Sequence, residues 1–143
     1  MTDYTFRRGD ELLALCRRER CALSEAMLRR ETEQSERTRE DLLAEMKKNL
    51  DTMRDAVRDG LKGELRSVSG LSGGDAAKLL IRAENANTLS GTGMLKAVAA
   101  SMAVVEVNAC MGRIVAAPTA GASGILPGTL LFGAEANGWS DDD

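Results

Sequence analysis

Residues 108–128 of the chain read NACMGRIVAAPTAGASGILPG, and this stretch decides the fold. It overlaps at its start with residues 91–111, which read GTGMLKAVAASMAVVEVNACM. A helix over residues 91–111 would be apolar on nearly every face. A helix of that kind is expected at the centre of a bundle. Gly112 ends it, the small residues APTAGASG at 117–124 form a loop, and another helix begins at Ile125. The stretch therefore predicts two helices joined by a small-residue loop.

Composition limits the classes of function. The 143 residues are 43% hydrophobic, which is typical of a globular domain with its own core. A net charge of −3 and an aromatic content of 3% argue against nucleic acid and anionic membranes as partners. The apolar helix is no membrane span, because Lys96, Glu106 and Asn108 interrupt it. Histidine is absent, which excludes Ser-His-Asp and Cys-His catalysis within this chain.

The first part of the chain is charged and helical. Fifteen of the 19 Lys and Arg residues lie within residues 1–66, whereas 13 of the 14 glycines lie at or beyond Gly60. Apolar residues at steps of three and four predict a long amphipathic helix at 36–59. A shorter helix is predicted at 10–18, and Ser24 is the expected N-cap of another. A solvated amphipathic region is favoured over a partner-docking surface.

The second part, from residue 67 onward, contains the other helix signals. SGLSGGDAAKLLIRAE, residues 69–84, predicts a Gly-rich turn and a helix from Asp75. Ser90 is the expected N-cap of the apolar helix. Gly138 followed by Ser140 and three acidic residues is typical of a helix start, so we expect a chain truncated there, with a frayed acidic tail as the alternative. Since no strand alternation is visible, the predicted fold is all-α.

The turn at 72–75 is a candidate anion site, made of Ser72, Gly73, Gly74 and Asp75. Backbone N–H groups at a Gly-rich turn and a helix N-terminus can hold an anion such as a substrate carboxylate. The spacing does not match a Walker A loop. The alternative is an ordinary turn in which the Asp75 side chain caps the helix.

The loop at 117–124 is a second candidate. Thr119 and Ser123 supply hydroxyls, while Ala120 and Gly121 would let a ligand approach the backbone closely. A tight helix–helix connection is the alternative, and it explains the glycines but not the two hydroxyls.

Polar and sulfur side chains outside these loops are few. Glu106 and Asn108 lie in the apolar helix and need partners if they are buried, so a capping or inter-helix hydrogen bond is expected for either. Asn108 is also a candidate for substrate contact. Cys16 and Cys21 are five residues apart with no third sulfur nearby, and Cys110 is a core candidate, so we predict no metal site on this chain. Free thiols and the absence of an apolar leader indicate a cytoplasmic protein.

Three segments together resemble the alpha chain of iron–sulfur-dependent L-serine dehydratase. They are ERTREDLLAEMKKNLDTMRDAVRDGL at 36–61, SGLSGGDAAKL at 69–79, and TLSGTGMLKAVAASMAVVEVNACMGRIVAAPTAGASGILPGTLL at 88–131. The resemblance implies an all-helical catalytic domain that begins near residue 67 and is incomplete here. It also implies conversion of L-serine to pyruvate and ammonia, a [4Fe–4S] cluster acting as Lewis acid, a beta-chain partner and an oligomer. The candidate substrate-binding residues are Ser72, Gly73, Gly74, Asp75, Asn108, Thr119, Ala120, Gly121 and Ser123.

The cluster ligands of this family lie in a GGCQAE-like and a VCDP…VPC-like stretch, and neither occurs in the 143 residues. We therefore expect the ligands in segments absent from this chain, and expect the isolated chain to bind no cluster and to be inactive. Two alternatives remain open: a cysteine-directed iron–sulfur lyase of the same superfamily, and an inactive helical fragment or interaction module. A pyridoxal-phosphate enzyme is disfavoured because no strand-based α/β pattern is visible.

Overall fold

Helices supply the regular secondary structure of the computed structural model, which describes residues 3–85 and 87–143. This confirms the predicted all-α class, since the described residues contain no strand. None of the described helices combines the length and hydropathy that a membrane crossing requires. The helices are α1 (Gly9–Glu19), α2 (Leu23–Ser35), α3 (Arg39–Leu61), α4 (Asp75–Asn85), α5 (Gly91–Ala109) and α6 (Ala120–Asn137).

The chain divides into two compact units, Met1–Lys47 and Lys48–Asp143. The division falls within α3, so the last turns of this helix belong to the second unit. The domain boundary predicted at residue 66 follows the change in composition, and it stays a prediction.

The first unit has a small core of its own. Tyr4, Leu15, Cys16 and Ala26 are buried together where α1 packs on α2. Arg29 donates a hydrogen bond of 2.6 Å to the Tyr4 hydroxyl, which ties the segment before α1 to α2. The α1 prediction is confirmed, since the helix extends one residue beyond 10–18 at each end.

The predicted N-cap of α2 is wrong by two residues. Ala22, not Ser24, occupies the N-cap position, and its carbonyl accepts the first helical hydrogen bond from the Ala26 N–H at 3.0 Å. Ala22 is the last residue with extended dihedral angles (φ −70°, ψ 160°), and the helical conformation begins at Leu23, one residue before Ser24. The Ser24 hydroxyl therefore lies inside the first turn, where it is not needed as a cap.

The long helix α3 lies close to its predicted span and starts at a side-chain cap. The Thr38 hydroxyl accepts from the Asp41 N–H at 3.1 Å. Only the second half of its apolar stripe is covered: Met53 is buried, whereas Leu43 and Met46 are 52% and 62% exposed.

The second unit is built around α5, as its all-round apolar sequence predicted. Both α4 and α6 pack on it, and Ala99, Ala103 and Val104 are buried in it. Ser90 does precede the helix, but its side chain makes no capping hydrogen bond, so that part of the prediction is wrong. Ser90 has helical dihedral angles (φ −82°, ψ −9°), and the hydroxyl of an N-cap needs an extended backbone to reach the next N–H groups.

The start of α6 differs from the prediction of a loop through residue 124. Thr119 is the N-cap, in an extended conformation, and its hydroxyl accepts from the Ala122 N–H at 3.1 Å. The glycines that suggested a loop serve packing instead. A Cβ added at Gly124 would lie 2.8 Å from the Ser101 carbonyl oxygen, and one at Gly128 would lie 2.6 Å from the Ser101 nitrogen.

A helix-starting turn follows α6. The Ser140 N–H and hydroxyl both donate to the Asp143 carboxylate, at 2.8 and 2.9 Å. These bonds resemble the reach-back half of a capping box, in which an acidic side chain accepts from the N-cap residue, whereas the N-cap role predicted for the Ser140 hydroxyl stays a prediction. Whether a helix continues from it stays a prediction.

Replacement of Gly128 by alanine should lower the free energy of unfolding of the second unit by about 1–3 kcal/mol, because the new methyl group meets the α5 backbone. Urea unfolding followed by circular dichroism measures the change. Gly121→Ala is the matched control on the same helix, since a Cβ there meets nothing closer than 4.0 Å. Equal stability of the two variants would contradict the close α5–α6 contact.

Cys16 should be the cysteine alkylated most slowly in the folded chain. It is buried, and burial raises the pKa of its thiol, so less of the reactive thiolate is present near pH 8. Cys21 and Cys110 are only half-buried. Iodoacetamide labelling followed by peptide mass spectrometry ranks the three, and labelling in denaturing urea should remove the difference. Equal rates in the folded chain would show that the Tyr4–Ala26 core opens readily.

Candidate functional site

A groove of about 590 Å³ runs along α5 beside α6, and the turn that begins α4 lies at one end of it. At the end nearest the C-terminus of α5 its lining is polar, with Ser72, Asp75 and Glu106 beside Gly121. The rest of the lining is mostly apolar: Met94, Ala97, Val98, Met102, Val105, Ala109 and Ile125, with Ser101 and Thr129 between them. The groove therefore brings three of the predicted site residues, Ser72, Asp75 and Gly121, to one place.

The Glu106 carboxylate organises the polar end. It is only 8% exposed, and it accepts three backbone hydrogen bonds, from Gly74 at 2.9 Å, Asp75 at 2.8 Å and Ala76 at 3.0 Å. These N–H groups are the first donors of α4, which have no partner within their own helix. The negative charge also complements the helix dipole at this end. Glu106 of α5 is therefore the cap of α4.

Two glycines allow the turn before α4 to point its N–H groups at one carboxylate. Gly73 has φ +132° and Gly74 has φ +82°, values that favour glycine. A Cβ on Gly73 would also lie 2.2 Å from the Leu65 carbonyl oxygen. The capping geometry thus explains the two glycines of the SGGD sequence.

The three N–H donors of the predicted anion site have a partner within the chain, and the substrate-binding role of this turn stays a prediction. The turn does hold a carboxylate, but it belongs to Glu106 of the same chain, so these three donors do not bind a substrate carboxylate in this arrangement. The expected inter-helix hydrogen bond of Glu106 is confirmed. The alternative of an Asp75 cap is wrong, because the Asp75 carboxylate instead pairs with the Lys78 ammonium at 2.8 Å.

Two side chains at the polar end remain available to a ligand. The Asp75 carboxylate is exposed, and the hydrogen bond and charge of Lys78 lower its pKa below the ordinary value, so it is ionised at neutral pH. Ser72 is exposed as well. Its backbone N–H and carbonyl bond to Ser67 and hold the residue in place beside the groove.

The other predicted site residues lie outside the groove lining. Thr119 caps α6, and the buried Ser123 hydroxyl accepts from the Ala117 N–H at 3.0 Å and donates to the Thr119 carbonyl at 3.2 Å. The hydroxyls of Thr119 and Ser123 thus have a structural role, because they bond to backbone groups at the start of α6. Ala120 and Asn108 are exposed. Their roles as substrate contacts, like those of Gly73 and Gly74, stay predictions.

The cysteines do not form a ligand set for an iron–sulfur cluster. Cys16 lies in the core of the first unit and Cys21 packs against it, while Cys110 lines a separate pocket of about 270 Å³ with Asp55 and Asp59. Across residues 3–85 and 87–143, no three His, Cys, Asp or Glu side chains are grouped so that they could hold a metal ion.

Sequence reasoning missed the apolar groove residues, chief among them Met94, Val98, Val105 and Ile125. Their positions on α5 and α6 were known, but the side that α4 and α6 leave uncovered depends on helix packing. The one acidic residue in the second half of an otherwise apolar helix was the signal that pointed to Glu106.

Replacement of Glu106 by alanine should destabilise the second unit by several kcal/mol, since each buried N–H left without a partner costs about 1–3 kcal/mol. Glu106→Gln should be intermediate, because its amide keeps one acceptor oxygen but loses the charge. Thermal and urea unfolding measure the losses, with the exposed Glu135→Gln of α6 as the control. If Glu106→Ala proved as stable as the control, the capping role would be refuted.

Comparison with known proteins identifies a family that this chain matches. Residues 18–143 match the family model described as serine dehydratase alpha chain. The chain is 43% identical over 126 residues to the "Probable L-serine dehydratase, alpha chain" of Bacillus subtilis (strain 168), a match that covers 88% of this chain and 42% of that protein. It is 30% identical over 125 residues to the "L-serine dehydratase, alpha chain" of Peptoniphilus asaccharolyticus, covering 87% and 43%.

A third relative is the "L-serine dehydratase" of Streptomyces coelicolor, 37% identical over 136 residues, where the match covers 90% of this chain and 28% of that protein. The chain thus spans less than half the length of the curated relatives it matches. No solved structure gives a significant match.

Proposed function

The chain belongs to the serine dehydratase alpha chain family, and from this premise we propose that it forms part of an enzyme converting L-serine to pyruvate and ammonia. The observation that carries the proposal at the level of residues is the polar end of the groove, where Ser72 and Asp75 stand beside the Glu106-capped N-terminus of α4. The partner is the beta chain that the alpha-chain name implies.

The reaction is the loss of water from an amino acid. A base takes the α-proton of serine, the β-hydroxyl leaves with a proton as water, and the resulting aminoacrylate tautomerises to an imine. Hydrolysis of the imine gives pyruvate and ammonia, so the water lost is replaced. Such a site must hold the ammonium and carboxylate groups while the Cα–H and Cβ–O bonds are aligned.

The residues of this chain fit the task of orientation. The ionised Asp75 carboxylate is a partner for the ammonium group of serine, and the Ser72 hydroxyl is a donor for its carboxylate. Glu106 does not contact substrate in this scheme. It fixes the N-terminus of α4 and thereby the positions of Ser72 and Asp75.

The family resemblance implies a [4Fe–4S] cluster, which would act as Lewis acid on the leaving hydroxyl. The cysteines of this chain do not fit its ligand set, so we assign the ligands to other segments of the enzyme and no step of the reaction to the cluster here.

Asp75→Asn and Ser72→Ala should each lower kcat/KM for L-serine by about 10–100-fold in the assembled enzyme, the range expected when a hydrogen bond to a charged group is lost. The assembly contains this chain, the remaining part of an alpha chain and a beta chain, prepared anaerobically. Pyruvate formation coupled to lactate dehydrogenase measures turnover, and the exposed Asp142→Asn is the control.

Unchanged kinetics in both variants would remove Ser72 and Asp75 from the site. A wild-type assembly that releases sulfide from L-cysteine but forms no pyruvate from L-serine would transfer the proposal to a cysteine-directed lyase. No turnover of either amino acid would contradict the enzymatic proposal.

A further inference from the structure

The groove presents a continuous apolar face to solvent. On α5, Met94, Val98 and Val105 are 61%, 39% and 48% exposed, and on α6 Ile125 is 58% exposed. The three α5 residues follow each other at steps of four and seven, so they form one stripe along the helix. Contiguous exposed apolar side chains of this kind are typical of an interaction surface.

L-Serine does not account for this face. It is a small zwitterion whose polar groups match Ser72 and Asp75, whereas most of the 590 Å³ groove is lined by Val, Met, Ile and Ala side chains. A ligand that covers the apolar part must itself be apolar and elongated. The lining from Met94 to Ala109 spans about 22 Å along α5, which equals about four turns of a facing helix.

The relatives contain further sequence beyond the stretch that this chain matches. More than half of the Bacillus subtilis and Peptoniphilus asaccharolyticus alpha chains lies outside the stretch that matches this chain. We propose that the groove along α5 and α6 seats an amphipathic helix from that further part of a serine dehydratase alpha chain, in the same or a separate polypeptide. The inference rests on the proposed function for the identity of this partner.

A helix in the groove would also complete the proposed substrate pocket. The apolar side chains of the docked helix pack into the groove and cover Val98, Val105 and Ile125. Other proteins bind amphipathic helices in hydrophobic grooves in the same way. The polar end, with Ser72 and Asp75, then becomes a pocket closed on one side by the docked helix. Exclusion of bulk water from that pocket strengthens the Asp75–ammonium contact.

Co-purification tests the inference. The tagged 143-residue chain is co-expressed with the part of the Bacillus subtilis alpha chain outside the matched 126 residues, and in parallel with a beta chain. The affinity of the recovered complex is then measured by titration. Val98→Asp and Val105→Asp are made as separate variants. If one of them fails to fold, the other still tests whether the groove binds the partner. Ile81→Asp on α4, 60% exposed and outside the groove lining, is the matched control.

The expected result is a complex with the alpha-chain part whose Kd rises at least tenfold in a groove variant and is unchanged in Ile81→Asp. The inference is overturned if no complex forms, or if the groove variants bind as the wild type does. It is equally overturned if the groove variants disrupt only a homodimer or a complex with the beta chain. Binding without serine turnover would support this inference and count against the proposed function, so the two can fail separately.

Discussion

The bond between the Glu106 carboxylate and the first N–H groups of α4 is the interaction on which the second unit depends. One carboxylate satisfies donors from Gly74, Asp75 and Ala76, and it is buried while doing so. A buried charge is tolerated only when it is fully hydrogen-bonded, and a helix end is stable only when its donors have partners. The N–H groups of α4 supply the hydrogen bonds that the buried carboxylate needs, and the carboxylate supplies the acceptors that the helix end needs. These bonds hold α4 on α5.

The rest of the unit follows from where that bond places the helices. With α4 held on one side of α5, Gly124 and Gly128 bring α6 against the backbone of Ser101 on another. The contact is too close for any side chain, so the separation of the two helices is set by backbone atoms. The groove along α5 and α6 is the space that these two fixed contacts leave, and its polar end lies at the capped terminus.

Placement of the cap also changes how the Gly-rich turn is interpreted. Taken alone, SGGD suggests a site that waits for an anion from solution. In the folded chain its donors serve a structural purpose, and the groups left for a ligand are the side chains of Ser72 and Asp75. Under the proposed function, the turn contributes to substrate binding by positioning these two side chains and not by direct binding through its backbone N–H groups.

The sequence by itself determined the helical class, the central place of α5, the start of α4 at Asp75 and the family, because periodicity, turn residues and motif spacing are local properties of the chain. The tertiary structure alone decided the partner of the α4 donors, since Glu106 and Gly74 are 32 residues apart and meet only after α5 packs on α4. It also decided that α6 begins at Ala120, because glycines that permit a loop equally permit close contact between helices. Which apolar side chains remain exposed in the groove likewise depends on packing, which no local pattern records.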